Sequence, residues 1–171
     1  RLNQLTAPAL RLARVAALRA GVPIEVPAYT IMRQCGSGLQ AIISSSQAIL
    51  LGDCELAVGA GAEVMSRGAY IMPSARFGAR MGDTQVLDMM VGALHDPFHK
   101  IHMGITAENV AEQFGISRSQ MDELSVESHR RAAAAIAEGR FKSQIVPIVS
   151  TSKKGDVVFD TDEHVKPGTT M

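Results

Sequence analysis

Cys35 sits where an extended, β-branched stretch, Glu25 to Met32, breaks into Gly36-Ser37-Gly38 and a helix opens behind it. A strand that turns this sharply into a helix fits few folds, and the flanking pattern narrows them further. Leu10, Ala13, Ala17 and Leu18 recur at helical spacing, with Thr6 and Pro8 near the start and Gly21 as a stop. The helix after Cys35 carries Leu39, Ile42, Ile43, Ile49 and Leu50 and ends near Gly52-Asp53. Apart from Ser44, Ser45 and Ser46 little of it is polar, so it is expected to be buried on most sides. Leu56 to Gly61 is a short apolar strand. Helix, strand, helix, strand at this spacing is the rhythm of an α/β fold, a parallel sheet with crossover helices.

The character changes at Met65. Glycines, a proline and several arginines interrupt Met65 to Asp88 without a sustained period, which reads as an irregular excursion. Two helices follow. Thr106 is placed to cap the first, which carries Val110, Ala111 and Phe114 and stops at Gly115. Ser117 and Gln120 have capping-box spacing for the second, which runs to Gly139. Ile145 to Ser150 and Val157 to Phe159 then flank Lys153-Lys154-Gly155-Asp156, a hairpin with its turn at Gly155.

Composition excludes some function classes. The 171 residues are 46% apolar and 20% charged with zero formal net charge. Nothing there matches the phosphates of a nucleic acid or a membrane surface, and no apolar run approaches a bilayer span. Two cysteines and no cysteine framework point to free thiols in a reducing compartment. Cytoplasmic residence is expected, with the mitochondrial matrix or peroxisome as alternatives. Starting at Arg1 and stopping just after Lys166-Pro167-Gly168-Thr169-Thr170, the chain reads as a portion of a longer protein.

Chemistry concentrates at Cys35. Unpaired N–H groups and the positive end of a helix dipole favour a thiolate over a thiol, and the same groups steady a developing oxyanion. The flanking glycines permit a sharp turn and close approach of a substrate. From spacing alone, an inert cysteine packed at a glycine turn satisfies the pattern as well. Cys54, between Asp53 and Glu55, has acidic neighbours that disfavour a thiolate and reads as structural. His95, Asp96, His99 and His102 invite a metal reading, but Pro97 interrupts the helical spacing and no second cluster completes a tetrahedral set. No His and Asn or Asp pair is flagged for a cysteine protease. Gly59-Ala60-Gly61 lacks the full dinucleotide fingerprint.

Cys35-Gly36-Ser37-Gly38-Leu39-Gln40-Ala41-Ile42, preceded by Val26-Pro27-Ala28-Tyr29-Thr30, closely resembles the active-site segment of thiolases. The likeness continues through Gly61-Ala62-Glu63-Val64-Met65-Ser66-Arg67, through His102-Met103-Gly104-Ile105-Thr106-Ala107-Glu108-Asn109-Val110-Ala111, and in Asp162-Glu163. The resemblance implies an acyl-CoA C-acyltransferase with the N-terminal half of a layered α-β-α architecture over 1–64 and a loop-domain region over 65–171. It implies Cys35 as the acyl-accepting nucleophile in ping-pong transfer, and His102, Met103 and Leu94 as lining of the pantetheine and acyl pocket. It implies coenzyme A thioesters as substrates without a metal or redox cofactor. The acetoacetyl-CoA type is favoured by the stretch around His102-Met103-Gly104. Alternatives are a long-chain 3-ketoacyl-CoA thiolase and a non-catalytic acyl-CoA-binding relative. Met72 to Asp88, with Arg76 and Arg80, resembles the loop that pairs thiolase dimers into tetramers, so a homodimer or homotetramer is expected. Met32 departs from the family, which usually has Asn there. The C-terminal His and second Cys of thiolase sites match no stretch of this chain.

Overall fold

A computed structural model describes residues 12–171. Thr6, Pro8 and Leu10 of the first helix signal lie outside those residues. The remainder of that signal gives α1 (Leu12–Arg19). It is followed by α2 (Ser37–Leu50), a short ribbon of β1 (Tyr70–Ile71) and β2 (Leu87–Asp88), and α3 (Met89–Ala93). Then come α4 (Met103–Phe114), α5 (Arg118–Ala137) and the hairpin of β3 (Ile148–Ser152) and β4 (Gly155–Phe159). These elements group into two compact units, one ending at Met103 and the other running Gly104–Met171.

One local device ends four of the helices. After α1, α2, α4 and α5 the chain passes through a glycine at positive φ: Gly21, Gly52, Gly115 and Gly139. Its N–H and that of the next residue then reach back to the last helical carbonyls, as in Gly52 N to Ile49 O (3.1 Å) and Asp53 N to Ala48 O (3.0 Å). This is the Schellman closure, which needs a residue without a Cβ at the left-handed position.

In the first unit the expected parallel strands are not paired. Glu25 to Met32 and Leu56 to Gly61 run without ladder partners among the described residues, where both sheets are antiparallel and two-stranded. Other contacts hold these segments. The guanidinium of Arg14, on α1, donates to the carbonyls of Ile24 (2.5 Å) and Val26. Gly59 lies directly on α2: a Cβ there would stand 2.9 Å from both Cα and N of Ile42. Gly61 approaches Gly38 in the same way, at 3.5 Å. The segment is therefore pressed onto the first turns of α2, backbone against backbone.

The expected burial of α2 does not hold within this chain. Leu39 is 65% exposed, Ile42 53% and Leu50 84%, and Ala111 of α4 is the buried apolar residue among those described. Segment 59–61 covers one side of α2, and among the described residues no second layer buries its other apolar positions.

The excursion after Met65 is a loop pinched at its base. Tyr70 pairs with Asp88 and Ile71 with Leu87, and the hydroxyls of Ser74 and Thr84 meet inside it. Asp88 then caps α3 by accepting from Met90 N at 2.8 Å.

In the second unit α4 begins at Met103, so Thr106 lies inside its first turn and is not its cap. The capping box of α5 is present in both directions. Ser117 Oγ accepts from Gln120 N (3.3 Å), and Gln120 Oε1 accepts from Ser117 N (2.8 Å). The hairpin turns on Lys153 and Lys154, because Ser152 already pairs with Gly155. Gly155, expected in the turn, closes it with φ +112.

Candidate active site

Cys35 is exposed at the mouth of a tight turn whose geometry is set by its neighbours. Gln34 adopts φ +50, the left-handed region that a glutamine enters only under constraint. Ser37 supplies part of that constraint. Its hydroxyl accepts from Arg33 N at 2.8 Å and donates to Gln34 O at 2.7 Å, so one side chain ties the peptide before Arg33 to the peptide after Gln34. Gly36 N and Ser37 N donate to Arg33 O (3.0 Å) and Gln34 O (3.2 Å), closing the turn into α2. The Arg33 guanidinium meets Gln40 Oε1 at 2.5 Å, one turn along the helix.

The N-cap of α2 is Gly36, and no side chain caps it. Cys35 thus stands one residue before the cap, where a 14-residue helix presents its first N–H groups. Met32, where an amide was expected from the family pattern, offers sulfur instead: its Sδ accepts from Gln34 N at 3.4 Å. A thioether is a weak acceptor, so the contact holds the turn less firmly than an amide oxygen would.

Leu94, His102 and Met103 are brought together by a loop that folds back on itself. Met103 N donates to Leu94 O at 2.8 Å, and His95 and His102 face one another across an antiparallel bridge. Within the loop, Asp96 N donates to Ile101 O (2.9 Å), Lys100 N to Asp96 O (2.9 Å), and His99 N to the Asp96 carboxylate (2.6 Å). The three residues therefore share one rim, with Leu94 and Met103 each about two-fifths exposed. Cys35 is held by a different stretch of the same unit, residues 33–40.

The cluster His95, Asp96, His99 and His102 is accounted for by this loop. Among the described residues, no three His, Cys, Asp or Glu side chains are placed to hold a metal ion. Two features escaped the sequence. The left-handed Gln34 carries no signal, since glutamine is not a residue of turns. The loop closure did carry one, because Asp96-Pro97 is a turn-forming pair.

The family described as thiolase, N-terminal domain, matches residues 3–171. The chain belongs to the thiolase family. It is 64% identical over 160 residues to the beta-ketothiolase BktB of Cupriavidus necator, an alignment covering 94% of this chain and 41% of that protein. An acetyl-CoA acetyltransferase of Pseudomonas aeruginosa is 47% identical, covering 93% of this chain and 41% of that one. Among solved structures, human mitochondrial 3-ketoacyl-CoA thiolase in complex with CoA superposes with a TM-score of 0.89 at 37% identity. That match covers 99% of this chain and 42% of the thiolase. Acetyl-CoA acetyltransferase of Bacillus anthracis gives 0.86 at 45% identity, covering 92% and 40%. The chain thus spans about two-fifths of the length of these thiolases, and its unpaired extended segments and exposed α2 belong to the α/β fold of that part.

Proposed function

We propose that this chain is the nucleophile-bearing part of an acyl-CoA C-acyltransferase that works by ping-pong transfer through Cys35. The observation that carries the reading is the placement of an exposed Cys35 at the start of α2, behind a hydrogen-bonded turn, in a chain of the thiolase family. In thiolysis the Cys35 thiolate attacks the 3-keto carbon of a 3-ketoacyl-CoA. A C–S bond forms, the adjacent carbon–carbon bond breaks, and the departing acetyl-CoA enolate takes up a proton. Coenzyme A thiolate then attacks the Cys35 thioester, releasing the shortened acyl-CoA and regenerating the thiolate. Condensation of two acetyl-CoA is the reverse path, and the acetoacetyl-CoA type is the favoured form.

Leu94, His102 and Met103 form the proposed wall for the pantetheine and acyl groups, supported by their shared rim and by the CoA complex of the human relative. The acyl chemistry runs on the thiol, with coenzyme A as substrate carrier. The proton acceptor for Cys35 and the second cysteine are assigned to the part of the thiolase that corresponds to the relatives' remaining length. Assembly as a homodimer or homotetramer, with pairing through the 72–88 loop, and cytoplasmic residence belong to the same proposal.

The test is mass spectrometry of the whole protein after brief exposure to acetoacetyl-CoA. Trypsin leaves Cys35 and Cys54 in one peptide, between Arg33 and Arg67, so fragment ions must place the adduct. The expected result is an acetyl group on Cys35, lost together with turnover in Cys35→Ala while coenzyme A still binds. Turnover at the wild-type rate in Cys35→Ala would remove the nucleophile assignment. Coenzyme A binding without acylation would make the protein a non-catalytic acyl-CoA binder.

A further inference from the structure

His95 has no place in the chemistry proposed above, yet its side chain is anchored within the loop that presents His102. Its Nδ1 lies 2.7 Å from Val91 O on the preceding turn. A carbonyl can only accept, so Nδ1 carries the proton and the ring is fixed in rotation. The His95 and His102 rings then meet edge to face, with centroids 5.3 Å apart and planes at 88°. This is the favourable arrangement of two aromatic rings. Their backbones are joined by the bridge between the same two residues, and Met103 N on Leu94 O closes the next rung. His102 itself is exposed.

We infer that His95 is a positioning residue: anchored on Val91, it orients the His102 ring toward the pantetheine arm of coenzyme A. The inference rests on the reading of His102 as a coenzyme A contact. It gives the histidine cluster a purpose other than a metal site. The Asp96–Ile101 closure sets the backbone, and the His95 ring sets the side chain that the backbone delivers.

Two substitutions separate the ring contact from the anchor. His95→Asn keeps a donor for Val91 O and removes the ring, whereas His95→Phe keeps the ring and removes the donor. In the whole protein, His95→Asn should weaken coenzyme A binding about two- to tenfold, the range an aromatic pair supports. KM should rise with kcat held. The His102 ring signals in a nitrogen-15 NMR spectrum should shift and broaden. His95→Phe, which keeps the ring contact but loses the Val91 anchor, should fall between wild type and the Asn variant. Unchanged affinity and unchanged His102 signals in His95→Asn would overturn the inference, as would a Phe variant that falls as far as the Asn one. His102→Ala with wild-type affinity would instead refute His102 as a coenzyme A contact. The His102 ring signals in the His95 variants would then decide alone whether His95 positions that ring.

Discussion

Gly59 offers the sharpest test of how this unit is built, because a single methyl group placed there has nowhere to go. An added Cβ would stand 2.9 Å from Ile42 Cα, 2.9 Å from Ile42 N and 3.0 Å from Ala41 C. All three are main-chain atoms of α2, so no side chain can swing aside. Gly59 is not at positive φ, so alanine adopts its backbone conformation without strain. The effect of Gly59→Ala is then the difference of two terms. Overpacking against a fixed neighbour costs about 1–3 kcal/mol. Loss of chain entropy in the unfolded state offsets about 0.4–1 kcal/mol. The net is a destabilisation of roughly 1–2 kcal/mol, centred on the contact between segment 59–61 and α2. Hydrogen exchange reads it locally: protection of the α2 amides should fall by about five- to thirtyfold, the factor that such an energy represents. Gly92→Ala in α3 is the control, since its Cβ would meet nothing within 4 Å. It should leave α2 protection as it was. Undiminished protection of α2 in Gly59→Ala would refute the backbone-to-backbone packing.

Other outcomes follow from single features. Ser117→Ala removes one arm of the α5 capping box and should cost about 0.5–2 kcal/mol, seen as faster exchange in the first turn of α5. Gly155→Ala forces an L-residue to φ +112 where its Cβ meets open space, so the whole cost, on the order of 1–3 kcal/mol, is backbone strain. Melting of the β3–β4 hairpin signals in NMR would report it. Glu127 is held ionised first by its hydrogen bond to Arg130 and next by that to Arg131, which lower its pKa from 4.5 to about 2. A carboxylate with a depressed folded value contributes its support above pH 4.5 and loses it as pH falls through about 2. Carbon-detected NMR titration should show this low midpoint, and Arg130→Gln should raise it; an ordinary carboxylate midpoint in the wild type would contradict the pairing.

The helices and their ends were legible because their causes are local. Gly21, Gly52, Gly115 and Gly139 stop helices by a bond pattern spanning six residues, and Ser117 with Gln120 starts one across three. The β3–β4 hairpin was legible as well, its turn being local, whereas the pairing of the parallel strands was not, because such a strand exists only when a distant neighbour completes its hydrogen bonds. Glu25 to Met32 has strand composition, but no ladder partner lies alongside it among the described residues. Burial of α2 failed as an expectation for a related reason: an apolar pattern states what a helix can bury and not whether a second layer is at hand. Thr106, expected as a cap, lies four residues past the cap position of α4, at a helix start where boundary signals are weakest. At the site, Cys35 could be found from the glycine turn, while the constraint on Gln34 and the ring contact of His95 with His102 arise only once the loops close.

The loop that carries Leu94 and Met103 is closed by main-chain atoms, Met103 N to Leu94 O and Asp96 N to Ile101 O. Any residue but proline at position 103 or 96 can make those bonds. A lineage is therefore free to exchange the side chains at 94 and 103 for bulkier or smaller ones without redesigning the frame beneath them. If Leu94 and Met103 line the acyl pocket as proposed, acyl preference can drift by point substitution with the architecture standing still.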